Sequence, residues 1–534
     1  MTSTEAPIQP LREDTKDDPF MKSTIQHNKP GGELVSRQSA EEKAAPNILP
    51  TEDANKEPVW AHGLQLWIIM VAVTLVVFLM LLDGTIIVAA VPRITDDFHS
   101  LSDIGWYGAA YQLGSFFTLF EIGSLLCGVA NSSNMLIGGR VVAGAGASGM
   151  LNGAMIIITE CAPMERRPVG MLGLASGPLF GGLLTEYATW RWCFYLNLPI
   201  GGFVAALIIL ARIPQQHPRP PLMSVIRSIH THLDLLGFAI FAPALIMLLL
   251  ACQYGGTIYP WNDSRIIGLF CGAGGMFVFF LFWDHRKGDE AMIPFSIARM
   301  RTVWTSCLVY GLMSSNLYLA SYWVPVYFQG VKGYSPVMSG VFILPMILAH
   351  VLAAMLTGPI VGYTIPIALF SSILLSVGTG LIATFSPGTP TGKWVGYQIL
   401  YGFGRGLGIQ MPILSVQKSV PPQQIPVAMA LVTFGQSFGA ALFLSLGETI
   451  YSNSFGTLIS KYAPSVNVQA VLDAGATEFR NFTSGVDLEG VLTAYAQSID
   501  RIFYMSAGLA AGCFVFSWGM GWKDLRKKKE TLKT

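Results

Sequence analysis

Asp83, Glu121, Arg140, His350 and Arg405 are ionisable residues that lie inside apolar segments of this 534-residue chain. A charged group at membrane depth is costly, so it usually faces a cavity or a partner and marks a proton or ion path. Asp83 ends the apolar run LLDGTIIV, where desolvation favours the neutral carboxyl and makes it a plausible proton acceptor. The alternative is a helix-end carboxylate at the level of the lipid headgroups.

The two arginines occupy similar glycine-rich settings. Arg140 lies in LIGGRVVAGAGASG, where small residues allow close helix approach and the permanent charge must be satisfied inside the protein. Asp83 and Glu121 are its candidate partners, and a structural ion pair or a bond to a backbone carbonyl is the alternative role. Arg405, in GFGRGLGIQMP, either binds substrate or anchors its helix. His350 is interpreted as a hydrogen-bonded packing residue.

A Gly-Pro segment lies further along the chain, in MLGLASGPLFGGLLTEYATWRWCFYLNLPIGG. Glycines three or four apart share one helix face and let a neighbouring backbone approach, and a proline favours a kink. Trp190-Arg191-Trp192 follows where an aromatic and basic interface belt is expected. Tight helix packing and a specific role in transport stay equally open. The residues of the segment are Gly173, Gly177, Pro178, Gly181 and Gly182.

Polar and aromatic residues in or beside the apolar helices are candidates for lining a substrate cavity. Tyrosine and phenylalanine offer flat apolar faces to a planar organic ligand, and glutamine adds adaptable hydrogen bonds. Packing against neighbours or lipid is the alternative for each. The candidates are Gln112, Tyr322, Phe328, Gln329, Gln410 and Gln436.

The composition independently indicates an all-α integral membrane protein. Hydrophobic residues make up 52% and charged residues 12% of the chain, its mean hydropathy is +0.50, and soluble domains carry about 25% charged residues. The net charge of +1 gives no basis for a nucleic-acid partner. Seven scattered cysteines without a CxxC pair exclude an obvious zinc or disulfide framework. No cofactor or metal is expected. The short connections leave no room for a catalytic domain, so the chain is not expected to be an enzyme.

Apolar segments of about 20 residues predict membrane spans. They lie at 64–91, 105–130, 134–159, 168–187, 192–212, 234–254, 265–284, 303–326, 338–360, 363–385, 394–415, 427–448 and 502–522. Basic residues in short loops mark the cytoplasmic side. They are Arg166, Arg167, Arg212, Arg219, Arg227, Arg286, Lys287, Arg299 and Arg301, together with the tail Lys523, Arg526, Lys527, Lys528 and Lys529.

This pattern predicts five regions. Residues 1–60 form a disordered cytoplasmic tail, 61–212 an N-terminal helix bundle, 213–285 a linker with extra spans, 286–522 a C-terminal bundle, and 523–534 a basic cytoplasmic tail. Within the C-terminal bundle, 449–501 is expected to be an extracellular loop. The sequons at Asn262 and Asn481 fall on the predicted outside and are candidate glycosylation sites.

The predicted orientation exposes a gap near the start of the chain. An even number of crossings must lie between span 64–91 and span 134–159, yet only 105–130 lies there, and it is too short for two crossings. The N-terminal tail faces outside, or 105–130 is a re-entrant or shortened hairpin, or residues are missing. The connections at Pro168–Gly173 and Gly358–Leu369 are also short.

Several motifs together resemble the major facilitator superfamily, and more narrowly the fungal fourteen-span drug–proton antiporter group. GPLFGG followed by WRWCFYLNLPIGG resembles its antiporter motif. LLDGTIIVAAVPRI, DIGWYGAAYQL, LIGGRVVAGAGASG, YWVPVYFQGVKGYSP and GYQILYGFGRGLGIQMP match as well. The similarity runs from about Trp67 to Trp522.

The resemblance implies two pseudo-symmetric six-helix bundles plus two extra central spans. It also implies that one early hairpin is shortened, because relatives have two spans and a gating loop where Tyr111 to Glu121 stands here. The arginine position matching Arg140 is tied to proton coupling in the family. Arg140 is therefore expected to bias the protonation of Asp83 or Glu121.

Three functions follow, of which proton-coupled efflux of a drug, toxin or secondary metabolite is preferred. The implied partners are a small amphipathic molecule, protons and the lipid bilayer, for a monomer in the plasma membrane. The absence of a GxxxxGK[ST] loop argues against ATP as the direct energy source. Scarce ionisable residues argue against strongly charged substrates. An importer or vacuolar carrier of amino acids or siderophores is the second reading. An inactive or receptor-like protein, left by the missing hairpin, is the third.

Overall fold

The computed structural model describes residues 117–161, 172–211, 234–360, 362–421, 424–473, 477–481 and 483–522, with part of the stretch 71–97. Its main helices are α1 (Phe117–Gly128), α2 (Ser133–Cys161), α3 (Leu172–Tyr187), α4 (Asn197–Ala211), α5 (Leu235–Tyr254), α6 (Ser264–Lys287), α7 (Arg301–Val326), α8 (Pro336–Ile360), α9 (Thr364–Ile382), α10 (Thr391–Gly408), α11 (Met411–Ser419), α12 (Ile425–Tyr462) and α13 (Gly485–Ser517). One short helical turn, Trp192–Tyr195, precedes α4, and a π-helical segment, Tyr327–Val331, follows α7.

Many of these helices have the length and composition of membrane spans. Among the described residues, six helices are long and apolar enough to cross a bilayer. On α6 the large apolar side chains of Phe277, Val278 and Phe282 are exposed at the protein surface. A helix in lipid satisfies its backbone internally and can present apolar side chains outward. The exposed face of α6 is therefore suited to contact lipid.

The predicted span at 394–415 is interrupted, and the segment 449–501, which was expected to be an extracellular loop, is largely helical. Residues 394–415 divide into α10 and α11, where Pro412 stands in the first turn of α11 because its missing N–H needs no helical partner there. In 449–501, α12 continues to Tyr462 and α13 begins at Gly485. The extracellular position of this segment stays a prediction. At 1.5 Å per residue the 38 residues of α12 extend about 57 Å, well beyond a hydrocarbon core of about 30 Å.

The second half of the chain packs as one bundle of α7 to α10 with α12 and α13. Helix α10 lies between α8 and α9, and its glycines permit this close approach. A Cβ atom at Gly402 would lie 2.0 Å from the carbonyl oxygen of Met346, and one at Gly406 would lie 2.2 Å from that of His350. This packing brings Arg405, on the same helix, into the interior of the bundle.

Helices α5 and α6 pair with each other and attach to the bundle through α12. The Thr449 hydroxyl donates to the carbonyl oxygen of Cys252 at 2.6 Å, and Ser445 donates to the side-chain oxygen of Gln253 at 3.0 Å. Hydrogen bonds of this kind help to hold membrane helices together, because the hydrophobic effect does not drive helices to associate within lipid. The pair is thus fixed to α12 at specific positions.

Asp234 caps the start of α5, just outside the apolar segment. Its carboxylate accepts hydrogen bonds from the Gly237 amide and the Trp283 indole at 3.1 Å and from Lys287 at 3.3 Å. Burial acts to raise the pKa of this carboxyl, but the bonds from these three donors outweigh it and hold the pKa below its usual value. The cap therefore ties α5 to the end of α6.

Replacing Asp234 by Ala is expected to lower the free energy of unfolding by about 1–2 kcal/mol, because the cap and the links to α6 are lost. Asp234→Asn, which keeps an acceptor oxygen but no charge, should fall between Ala and the original protein. Since the folded pKa is lowered, the contribution is present above the unfolded pKa of about 3.9 and is lost as pH falls through the folded value. Thermal unfolding in detergent at neutral pH measures the difference, and equal stabilities of all three proteins would contradict it.

Candidate functional site

A buried ion pair joins Asp83 to Arg140. The Arg140 Nη1 atom donates to Asp83 Oδ2 at 2.8 Å, and both side chains are almost fully buried. Asn197 Nδ2, at the start of α4, donates to the other carboxylate oxygen at 2.7 Å and to Ser124 Oγ on α1 at 3.1 Å. The carboxylate thus joins α2 to α4, and Asn197 extends the network to α1.

This network lies next to the second half of the chain. Tyr322 of α7 is fully buried and lies within electrostatic range of both Arg140 and Asp83. Leu82 and Phe194, from the first half, belong to the same hydrophobic core as Tyr322. The Arg140 guanidinium carbon lies 5.8 Å from the centre of the Phe194 ring. A change in the charge of Asp83 would therefore alter the electrostatic environment where the two halves of the chain meet.

Asn197 and Ser124 were not identified from the sequence. The available signal was an amide side chain in the otherwise apolar NLPIGG run, since a buried polar group needs a partner. The amide of Asn197 fixes the orientation of the Asp83 carboxylate because it bonds the oxygen that Arg140 leaves free. Asn197 is thus a positioning residue of this site.

Glu121 lies on α1 but does not pair with Arg140. Neither of its buried carboxylate oxygens has a hydrogen-bond partner among the described residues, and the side chain packs where a Cβ atom on Gly201 would be only 1.8 Å from Oε1. Of the two candidate partners of Arg140, the structure pairs it with Asp83. The role of Glu121 in proton coupling stays a prediction.

The Gly-Pro segment forms helix α3, which packs against α8 of the other half. A Cβ atom at Gly182 would lie 2.7 Å from the carbonyl oxygen of Pro336. One turn later the carboxylate of Glu186 accepts a hydrogen bond from the Val337 amide at 3.0 Å. Gly181 is also buried, and the surroundings of Gly173, Gly177 and Pro178 lie outside the described part. The end of α3 thus forms a direct contact between the halves.

Trp190 does not belong to an interface belt. It is buried, its indole donates to Asp97 at 2.9 Å, and the guanidinium of Arg191 stacks over its ring at 4.3 Å. Only Trp192 of the expected belt is exposed. The prediction was wrong for Trp190 because a partner for its N–H is available inside the protein, which a sequence pattern does not reveal.

The predicted cavity residues have different environments. Tyr322 and Gln329 are buried, whereas Gln410 and Gln436 are half-buried, and Gln112 lies outside the described residues. Phe328 packs among aromatic rings of Phe342 and Trp394. Their contact with a substrate stays a prediction.

Arg405 and His350 contact each other in the second half of the chain. From the sequence, these two residues had been given separate roles. Arg405 Nη1 lies 3.1 Å from His350 Nε2, and both side chains are buried. Close by, Asn316 of α7 links three helices, since Ser506 donates to its side chain at 2.7 Å and Tyr401 donates to its carbonyl at 2.8 Å. Asn316 was not identified from the sequence.

The sequons occupy two connections. Asn262 is exposed and immediately precedes Asp263, whose carboxylate caps α6 through the Arg265 amide at 2.8 Å. Asn481 ends the short 3₁₀ helix Glu478–Asn481. Their glycosylation stays a prediction.

Comparison with known proteins places this geometry in context. The sequence model of the Major Facilitator Superfamily matches residues 115–444 of this chain. The MFS-type transporter pigP of Monascus ruber is 49% identical over 92% of both chains. The MFS-type transporter calB of Penicillium decumbens is 46% identical over 90% of this chain and 92% of its own. The efflux pump mlcE of Penicillium citrinum is 44% identical over 94% and 98%.

A solved structure shares the fold at low sequence identity. It is a bacterial homolog of the human lysosomal transporter Spinster, in an inward-facing and occupied conformation. The TM-score is 0.53 at 14% identity, and the match covers 86% of this chain and 97% of that chain. The all-helical architecture is therefore that of known membrane proteins.

Proposed function

The chain belongs to the Major Facilitator Superfamily, as a multi-pass membrane transporter rather than an enzyme, and from this premise we propose that it exports small amphipathic organic compounds in exchange for protons. Two helix bundles, 61–212 and 286–522, would alternate access to a site between them. The buried Asp83–Arg140 pair is the observation that supports this proposal most strongly.

The chemistry of that pair supports the proposed proton coupling. Protonation of Asp83 would remove the negative charge that compensates Arg140 at 2.8 Å. A buried guanidinium left without its counter-charge is strongly unfavourable, so the surrounding helices would rearrange. Tyr322 of α7 lies within range of the pair and would transmit the change to the second bundle. Glu121 is a second candidate carrier, because its buried oxygens are unbonded in the described part.

The contact between α3 and α8 would seal one side of the transporter. The distribution of basic residues puts the end of α3 outside. There Gly182 lies against Pro336, and Glu186 bonds the Val337 amide. A glycine lets the two backbones come close enough to exclude small solutes. Opening toward the outside would require this contact to break.

The direction of transport and the substrates rest on relatives. Several are named as efflux pumps, among them mlcE of Penicillium citrinum and mokI of Monascus pilosus. We accordingly propose a drug, toxin or secondary metabolite as substrate, and Tyr322, Gln329, Arg405 and Gln410 with Gln112 as its contacts. A monomer in the plasma membrane fits this role.

Internal deletions are the basis of an alternative, inactive form. The alignment with pigP has 525 positions, but it includes only 92% of the residues of this 534-residue chain. Some positions of the relative are therefore aligned with no residue of this chain. Only three residues separate α8 from α9. We propose a fourteen-span architecture in which one hairpin is shortened near Tyr111–Glu121, and a transcript covering that junction would establish whether the shortening is genuine.

Efflux of rhodamine 6G from cells that express the chain tests the export proposal. We expect a faster loss of dye than from cells with empty vector, and we expect a protonophore to abolish the difference. Surface labelling confirms that equal amounts of protein reach the membrane. Efflux that persists with the protonophore would contradict proton coupling. Absence of efflux, restored when the hairpin of a relative is inserted after Tyr111, would favour the inactive form.

A further inference from the structure

Arg405 is a buried positive charge with no negative partner in the described part of the chain. Its side chain is 5% exposed, it forms no ion pair there, and its Nε atom lacks a hydrogen-bond partner. Its hydrogen bonds go to the imidazole of His350 at 3.1–3.2 Å. Arg140, in a comparable glycine-rich setting on α2, has the carboxylate of Asp83 instead.

An uncompensated guanidinium at this depth is costly. Arginine does not lose its proton in proteins, so the charge cannot be avoided by titration. Breaking up a buried charge pair is strongly destabilising because the remaining charge is left uncompensated. Neutral imidazole only partly satisfies a guanidinium, which has five N–H donors. The site therefore has an unmet requirement for an anion.

The surroundings of Arg405 suit an aromatic or apolar molecule. Its electrostatic neighbours are the phenol rings of Tyr310 and Tyr318 on α7 and of Tyr401 on α10. Tyr310 and Tyr318 are half-buried, and the Tyr401 hydroxyl is held by the carbonyl of Asn316 at 2.8 Å. Two of the rings thus keep some exposed surface beside a buried charge. Phenol faces contact apolar skeletons, and their hydroxyls hydrogen-bond polar substituents.

We infer that Arg405 binds a carboxylate of the transported compound, which is an amphipathic molecule with a single acidic group. The inference deepens the proposed function and rests on it. The planar fork of arginine N–H groups matches a carboxylate in a bidentate manner. A cationic substrate would not make this contact, and a multiply charged anion would find no further cations among these neighbours. His350 is the positioning residue that holds the guanidinium in the bundle.

Binding of two probes that differ only in charge tests this inference. The purified full-length chain in lipid nanodiscs is titrated at pH 7.4 with 1-pyrenebutyrate, which is ionised there, and with neutral 1-pyrenebutyramide. Energy transfer from tryptophan to pyrene reports binding, and empty nanodiscs correct for partition into lipid. We expect the acid to bind at least about tenfold more tightly than the amide, as charge-assisted bonds to a desolvated arginine imply.

Variants assign that preference to Arg405. Arg405→Gln should bring the affinity for the acid down to that for the amide, which itself stays unchanged, and Arg405→Lys should retain part of the preference. The control Arg265→Gln also removes one positive charge, from an exposed arginine that stacks on Tyr259. It should leave both affinities unchanged. Thermal unfolding of each variant establishes that it is folded.

Two results would overturn the inference. One is an unmodified protein that binds the acid no more tightly than the amide, and the other is a preference that persists in Arg405→Gln. Either can occur while rhodamine 6G is still exported, in which case the proposed function survives. A preference that depends on Arg405 in a protein that exports neither rhodamine 6G nor 1-pyrenebutyrate would support the binding site and contradict the proposed function.

Discussion

Replacing Asp83 by Asn is expected to abolish proton-coupled export while the protein still reaches the membrane. The substitution keeps the size of the side chain and removes the charge that Arg140 contacts at 2.8 Å. An amide does not take up and release a proton at physiological pH, so the coupling step is lost. Efflux of rhodamine 6G should fall to the level of cells that carry empty vector.

The same substitution should also destabilise the protein. Removing one partner of a buried ion pair typically costs about 3–5 kcal/mol, because the other charge remains uncompensated. A decrease in the thermal unfolding temperature is therefore expected along with the loss of export. By itself this decrease does not separate coupling from folding.

A double variant separates the two effects. Asp83→Asn together with Arg140→Gln removes both charges, and replacing a whole buried pair is often close to neutral for stability. We expect the unfolding temperature to recover while coupled export stays absent. Protonophore-sensitive efflux by Asp83→Asn at the original rate would contradict the assignment of Asp83 as the proton carrier.

The second large effect is expected at Gly146, where α2 crosses α1. A Cβ atom there would lie 2.1 Å from both the Cβ and the backbone nitrogen of Phe120, so Gly146→Ala must push the helices apart. Overpacking typically costs about 1–3 kcal/mol, and here the obstacle is backbone that cannot rotate away. The displaced helices hold Arg140 and Ser124, so both stability and export should fall.

Gly138 provides a matched control on the same helix. A Cβ atom at Gly138 meets nothing within 4 Å, and alanine favours a helix over glycine by about 1 kcal/mol. Gly138→Ala should therefore leave export intact and keep or slightly raise the unfolding temperature. Thermal unfolding and surface labelling of both variants measure the contrast. Equal behaviour of the two variants would show that the close crossing is unimportant.

The pattern of apolar residues along the sequence was sufficient to predict the class of protein and the positions of most helices. Apolar runs such as 234–254 and 303–326 became α5 and α7 nearly residue for residue, because the bilayer requires a continuous apolar helix. Helix ends were less predictable. Helices α12 and α13 run beyond the predicted spans 427–448 and 502–522, because they pack against each other there.

The amino-acid sequence by itself determined a helical membrane protein with rare internal charges and close helix crossings, since hydrophobic length and glycine spacing are local properties. It also identified Asp83, Arg140 and Arg405 as unusual. Only the tertiary structure decided their partners. Asp83 and Arg140 are 57 residues apart, Asn197 completes the site from α4, and His350 rather than a carboxylate meets Arg405. Partners are chosen by geometry because a buried charge is satisfied only within bonding distance.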